Sequence, residues 1–211
     1  MTTVVLLGYS CAGKSRIAGE VCKRWPTVES LDSDAMIAEP YGGHIYQMFF
    51  SLGRAGALDQ IERSENDFLD SVSPSDNSRV IAAGPNLPNR VRWPSFVRRV
   101  DPTFIYLVLT PEEECEALLA RRAQHSRDPA IAKNPLFGSW DEGLTTSHQA
   151  DGVWKELDQS TALQNIETEM APSTLLYERY TPVQSRFTKE ERWNKTPNPV
   201  VLAIGHLLNL A

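Results

Sequence analysis

The stretch Gly8-Tyr9-Ser10-Cys11-Ala12-Gly13-Lys14-Ser15 is a complete G-x-x-x-x-G-K-[ST] pattern, and no other part of the chain restricts its fold as strongly. The pattern works only as a tight loop between a buried strand and a helix. Its glycines let successive backbone N–H groups turn inward toward a polyphosphate, and the helix that follows presents its positive end to the same anion. The lysine can reach the β- and γ-phosphates and the serine hydroxyl can ligate Mg²⁺. The flanking residues supply that setting. Val4 to Leu7 is a short apolar run suited to a buried parallel strand, and Ile17, Val21 and Trp25, with Ala18 and Cys22 beside them, keep helical spacing. The predicted nucleotide-binding residues are therefore Gly8, Cys11, Ala12, Gly13, Lys14, Ser15 and Arg16.

Strands and helices then alternate, which specifies a parallel α/β sandwich. Thr27 to Leu31 reads as a second strand and runs into Asp32-Ser33-Asp34. Two carboxylates one residue apart at the carboxyl edge of a parallel sheet stand where such folds bind ligands. Asp32 could hold Mg²⁺ through water and Asp34 could accept a hydroxyl proton; the same residues could also simply cap the next helix. Ile45, Met48, Phe49 and Leu52 fall at helical spacing, and a longer helix is predicted from Ala55 to Val72, ending before Pro74. Arg79 to Ala83 and Phe104 to Leu109 read as further strands. Thr110-Pro111-Glu112-Glu113 carries a capping box with proline at the first helical position. A helix is predicted from Gly152 to Met170, and Asn198-Pro199 caps a final one.

At 211 residues with 41% hydrophobic side chains the chain can bury the core of one domain. A formal charge of −6 argues against a general nucleic-acid or anionic-membrane surface. No apolar run approaches about 18 residues, and the N-terminus has no basic region before a cleavable apolar segment, so a cytoplasmic location is expected. Cys11, Cys22 and Cys115 are too few and too scattered for a disulfide framework or a zinc site. Cys11, beside a helix N-terminus, reads either as a reactive thiol or as a small side chain tolerated in the loop.

From residue 1 to about 130, and again from about 174 onward, the order of features resembles the shikimate kinase family of P-loop small-molecule kinases. Gly8 to Ser15, Leu31-Asp32-Ser33-Asp34, Gly43-His44-Ile45-Tyr46-Gln47-Met48-Phe49 and Val80-Ile81-Ala82-Ala83-Gly84 are similar to that family's successive motifs. Leu119-Ala120-Arg121-Arg122, with Arg127-Asp128-Pro129, looks like the family's L-x-x-R helix and mobile lid, and Tyr177 to Pro182 like its R-x-P-x-Y helix. The resemblance implies a three-layer α/β/α fold with a mostly parallel five-stranded sheet and a helical lid, enlarged here over about 123–173. It implies ATP and Mg²⁺ as cofactors and a small hydroxylated metabolite as acceptor. Lys14 and Arg127 would stabilise the transferring phosphoryl group, Ser15 and Asp32 would hold Mg²⁺, and Asp34 would orient the acceptor hydroxyl. Arg121 or Arg122 and the segment around Pro197 would lie by the adenine; Gly84 and Arg179 would face the acceptor.

The chain also departs from that pattern. Leu58 stands where the family carries a carboxylate-binding arginine, and Gly84-Pro85-Asn86 replaces a triple glycine. Losing a bidentate arginine should cost a few kcal/mol of carboxylate recognition. An acceptor less acidic than shikimate, or differently shaped, fits these changes. A gluconate-kinase-like sugar-acid kinase and a non-catalytic ATP-binding sensor are the alternatives. Asn194-Lys195-Thr196-Pro197 lacks the aspartate of a guanine-reading N-K-x-D. The sequence leaves the oligomeric state open.

Overall fold

The computed structural model describes residues 2–43, 45–125, 146–148, 154–156, 159–193 and 197–210. Five strands form one sheet: β1 (Thr3–Leu7), β2 (Glu29–Asp32), β3 (Arg79–Ala82), β4 (Thr103–Leu107) and the short Arg186–Phe187. Their order is β2-β3-β1-β4 followed by Arg186–Phe187, and every pairing is parallel. A separate antiparallel pair joins β5 (Thr146–His148) and β6 (Trp154–Glu156), which makes Arg186–Phe187 β7.

The alternation of side chains along the strands divides the core into two layers. Val5, Leu7, Ile81, Phe104 and Tyr106 face one side with Trp93, Phe96, Leu118 and Ile166. Val4, Leu6, Val80, Ala82, Ile105 and Leu107 face the other with Ile17, Val21, Val200 and Ile204. The first layer lies beneath α3 (Ile45–Ser71), α4 (Trp93–Val100), α5 (Pro111–His125) and α6 (Gln159–Tyr180). The second lies beneath α1 (Lys14–Arg24) and the C-terminal helix Pro199–Leu207. Between them in sequence stand the short helices α2 (Ser33–Ala38), on the β2 edge, and α7 (Lys189–Trp193), so the last helix is α8. This is the three-layer α/β/α arrangement with a parallel five-stranded sheet that the sequence predicts.

Local chemistry sets several boundaries as expected. The Thr110 amide donates to Glu113 Oε2 at 2.9 Å and the Glu113 amide to Thr110 Oγ1 at 3.3 Å, closing the capping box of α5. The Val200 amide donates to Asn198 Oδ1 at 3.0 Å at the start of α8. Other boundaries move. The second strand begins at Glu29 rather than Thr27, because the Val28 amide bonds to the Trp25 carbonyl in a turn after α1. The two helical stretches expected around 45–52 and 55–72 meet in α3 at a kink, where Gly53 takes φ 68°. The helix expected from Gly152 to Met170 is corrected: Trp154–Glu156 is a strand, and the helix runs from Gln159 to Tyr180 across the internal Pro172. Proline lacks the amide that would continue the ladder. The Met170 carbonyl, in the same stretch of helix, accepts the Tyr9 hydroxyl.

Glu65 of α3 is 2% exposed and paired with Arg90, tying the chain after β3 to α3. Burial pushes its carboxyl from the usual 4.5 up to about 7, while the Arg90 guanidinium beside it opposes the rise. The folded chain therefore binds more protons than the unfolded chain across that window. Stability linked to Glu65 is present below about pH 4.5 and is lost as pH rises toward about 7. Urea unfolding of wild type and Glu65→Gln at stepped pH should show this loss in wild type and a flatter profile in the variant. Parallel profiles would assign the dependence to other groups.

Candidate active site

The site is built at the carboxyl edge of β1, β2 and β3. Where β1 ends, the chain turns through the phosphate-binding loop and enters α1 at Gly13, which has φ 89° and ψ 15°. A side chain there would be doubly disfavoured. The left-handed conformation strains an L-residue, and an added Cβ would stand 2.8 Å from Cζ2 of Trp193. Trp193, the last residue of α7, packs over the loop's outer side and carries the Arg16 guanidinium 4.2 Å from its ring centroid. The motif points to Arg16; nothing in it points to Trp193, which reaches the loop only through the tertiary fold.

Lys14 is buried at 8% exposure, and its Nζ donates to the carbonyls of Gly8 at 2.8 Å and Tyr9 at 2.6 Å. Burial pushes its ammonium below the ordinary lysine value, and the negative charges of Asp34, Glu114 and Asp32 oppose that shift. A cation held in a poorly solvated loop among anions is disposed to bind a polyanion that brings its own charge. Ser15 and Arg16 are exposed on the first turn of α1, as is Cys11 in the loop, while Ala12 is buried beneath it.

Asp32 closes β2 and caps α2, its Oδ1 accepting the Ala35 amide at 3.1 Å. The capping reading of this residue is thus correct for one carboxylate oxygen. Both Asp32 and Ser15 carry oxygen donors of the kind that suits Mg²⁺, an ion that keeps several waters and takes one or two protein oxygens beside substrate phosphates. No cluster of three or more His, Cys, Asp or Glu side chains suited to a metal occurs among the described residues.

Asp34 sits on the first turn of α2, directly against Gly84. A Cβ at Gly84 would lie 2.3 Å from Asp34 Oδ1 and 3.2 Å from Ser33 Oγ, and the Gly84 amide donates to that hydroxyl at 2.7 Å. Gly84 therefore makes room for the carboxylate, and Ser33, fully buried, fixes the approach of the two segments. Gly84→Ala should therefore push the Asp34 carboxylate aside.

Beside this edge lies a cavity of about 310 Å³. The loop contributes Tyr9 and Ser10, the segment after β3 contributes Pro85 and Asn86, and Glu114 enters from the first turn of α5. The far wall is α6, through residues that include Ile166, Glu169 and Met170. Hydrogen bonds fasten that wall to the loop side: Tyr9 Oη meets Thr174 Oγ1 at 2.8 Å, and the Tyr177 hydroxyl donates to the Pro85 carbonyl at 2.6 Å. Burial raises the Tyr9 and Tyr177 hydroxyl pKa values, so both stay protonated as donors.

The structure thus gathers Gly8, Ala12, Gly13, Lys14, Ser15, Asp32, Asp34 and Gly84 at one sheet edge. Arg179 is exposed on the last turn of α6 and is not among the residues lining the cavity. Pro197 is exposed just before α8. Arg127 and the side chain of Arg122 lie outside the described residues. Leu58 packs against the small core of Ile37, Met48, Phe49 and Ala57, so its position serves packing.

A phosphate-binding loop between β1 and α1 of a parallel sheet ordered in this way defines a P-loop α/β protein. The fold matches that of shikimate kinases. The enzyme from Bacteroides thetaiotaomicron superposes with a TM-score of 0.60 at 17% identity, covering 99% of each chain. Shikimate kinase from Acinetobacter baumannii, in complex with shikimate, gives 0.56 at 16% identity over 100% of this chain and 92% of that one. The Aquifex aeolicus enzyme gives 0.53 at 15% over 99% and 96%. No family model and no curated protein matches the sequence.

Proposed function

We propose that this protein is an ATP- and Mg²⁺-dependent kinase that transfers the γ-phosphoryl group to a hydroxyl of a small metabolite. The observation that carries the reading is the placement of Asp34 against Gly84, electrostatically coupled to the loop lysine and next to a cavity floored by the loop itself. Phosphoryl transfer requires positioning and charge stabilisation more than covalent chemistry. The loop amides and Lys14 would hold the β- and γ-phosphates. Asp34 would orient the acceptor hydroxyl, whose oxygen bonds to the γ-phosphorus as the bridge to the β-phosphate breaks. ADP leaves, and the hydroxyl proton passes to Asp34 and on to solvent. Mg²⁺, held by Ser15 and through water by Asp32, would neutralise charge on the phosphates. Arg127 would add a second cation, with Arg122 and Pro197 beside the adenine and Arg179 on the acceptor side.

Shikimate is a poor fit as acceptor, since Leu58 is committed to an apolar cluster where the carboxylate clamp would stand. That observation also favours the second reading, an ATP-binding sensor without an acceptor reaction. The two separate when ATP binding and ATP consumption are measured together, against hydroxy acids, sugars and amino alcohols, with Lys14→Ala as the blank. Acceptor-dependent formation of ADP and a phosphate ester supports the kinase. ATP bound tightly but never consumed with any acceptor would leave the sensor.

A further inference from the structure

A hydrogen-bonded tie across the cavity starts inside the phosphate-binding loop. Tyr9 is a loop residue only 7% exposed, and its hydroxyl donates to the Met170 carbonyl of α6. That leaves the same oxygen to accept from Thr174 Oγ1, also on α6, at 2.8 Å. Its ring stands edge-on against Tyr177, one turn further along the helix, with centroids 5.3 Å apart and planes at 64°. The Tyr177 hydroxyl in turn reaches the Pro85 carbonyl at 2.6 Å, one residue beyond the Gly84 that adjoins Asp34. A continuous set of contacts thus runs from the loop, through α6, to the segment that fixes Asp34.

The same residue has a second connection, on the nucleotide side. Its carbonyl accepts Lys14 Nζ at 2.6 Å, beside the Gly8 carbonyl at 2.8 Å. A polyphosphate in the loop competes for that ammonium and holds the loop amides, so the Tyr9 carbonyl keeps or loses its lysine according to whether the loop is filled. The backbone of Tyr9 therefore registers the nucleotide while its side chain grips the cavity wall. Resting on the kinase reading above, we propose that Tyr9 is a positioning residue whose hydroxyl sets α6, the wall of the acceptor cavity, in response to nucleotide in the loop. A phenylalanine would fill the place beside Tyr177 equally well; what the hydroxyl adds is the pair of bonds to Met170 and Thr174. A ligand shifts such a network only by as much as it favours one arrangement over the other, which here is the weight of one or two hydrogen bonds.

The test is hydrogen exchange of the α6 amides, read by mass spectrometry on peptides spanning residues 166–178, with and without saturating Mg²⁺ and adenylyl imidodiphosphate, a non-hydrolysable ATP analogue. In wild type the analogue should slow these amides about two- to tenfold. Tyr9→Phe should lose that response, and so should Thr174→Val, which keeps the shape of a half-buried side chain outside the loop. Calorimetry should show that both variants still bind the analogue, which also shows that they are folded. Because the two substitutions break the same bond, the double variant should lose no more than either alone. An analogue that binds wild type without slowing α6, or a response that survives both substitutions, would overturn the proposal while leaving the kinase reading intact. Variants in which α6 exchanges faster at rest yet slows by the wild-type factor on binding would make the hydroxyl a structural tie alone, and would overturn it too. Failure of the analogue to bind wild type at all would refute both the coupling and the kinase.

Discussion

Replacing Lys14 with alanine should lower ATP turnover at least a hundred- to a thousandfold, roughly the loss seen when one preorganised donor to a developing charge is removed. The position gives this effect its size. Nζ lies in a loop at 8% exposure, where two backbone carbonyls hold it and water screens it little. Bound phosphate would compete for the same ammonium, so those carbonyl contacts are the ones that yield when nucleotide arrives. The variant should remain folded, because α1 is anchored through Ile17, Ala18 and Val21 rather than through the lysine. Near-native unfolding with collapsed turnover is the expected pair of results. A small kinetic loss would mean that the loop does not hold the transferred phosphoryl group.

The second large effect is expected at Asp34. Asp34→Asn keeps the shape of the side chain beside Gly84 but removes its charge and its ability to take a proton. Acceptor phosphorylation should fall about a hundred- to ten-thousandfold, the usual contribution of a positioned acid–base group. Equilibrium ATP binding should persist, since the carboxylate lies on α2 and not on the loop. Losing one anion near Lys14 should, if anything, shift that ammonium further below its ordinary value, because the Asp34 charge now opposes the effect of burial. A sensor would respond differently: its ATP-dependent output should survive the substitution with little change. The contrast between lost transfer and retained binding separates the two readings within one variant.

Lys14 and Asp34 are legible in the amino-acid sequence because their signals are local. The spacing of Gly8, Gly13, Lys14 and Ser15 specifies a loop, and Asp32 and Asp34 follow a strand directly, so chain order alone brings them to one sheet edge. The capping box at Thr110 and the Asn198 cap are readable for the same reason. Features that depend on contacts distant in sequence are not. Trp193 reaches Gly13 from the far end of the chain, and Tyr9 meets Thr174 across the cavity. The fifth strand, Arg186–Phe187, has two residues and no apolar alternation to announce it. It is held by its pairing with β4 and by Arg192, whose Nη1 donates to the carbonyls of Val108 at 2.9 Å and Phe187 at 2.5 Å. The helix Trp93–Val100 is concealed within a basic stretch, because Trp93 and Phe96 bury its inner side while Arg98 and Arg99 crowd its last turn. Along the chain, Glu114 is one of three acidic residues in a first turn. Only the fold separates it from exposed Glu112, by turning it into the cavity wall.

The most direct test of phosphoryl transfer is phosphorus NMR of reactions holding the protein, MgATP and each acceptor of the panel in turn. The account predicts a phosphate monoester that grows in step with ADP, one for one, and disappears from the Lys14→Ala and Asp34→Asn reactions. ADP accompanied only by inorganic phosphate, or ATP left intact across the acceptor panel, would contradict it.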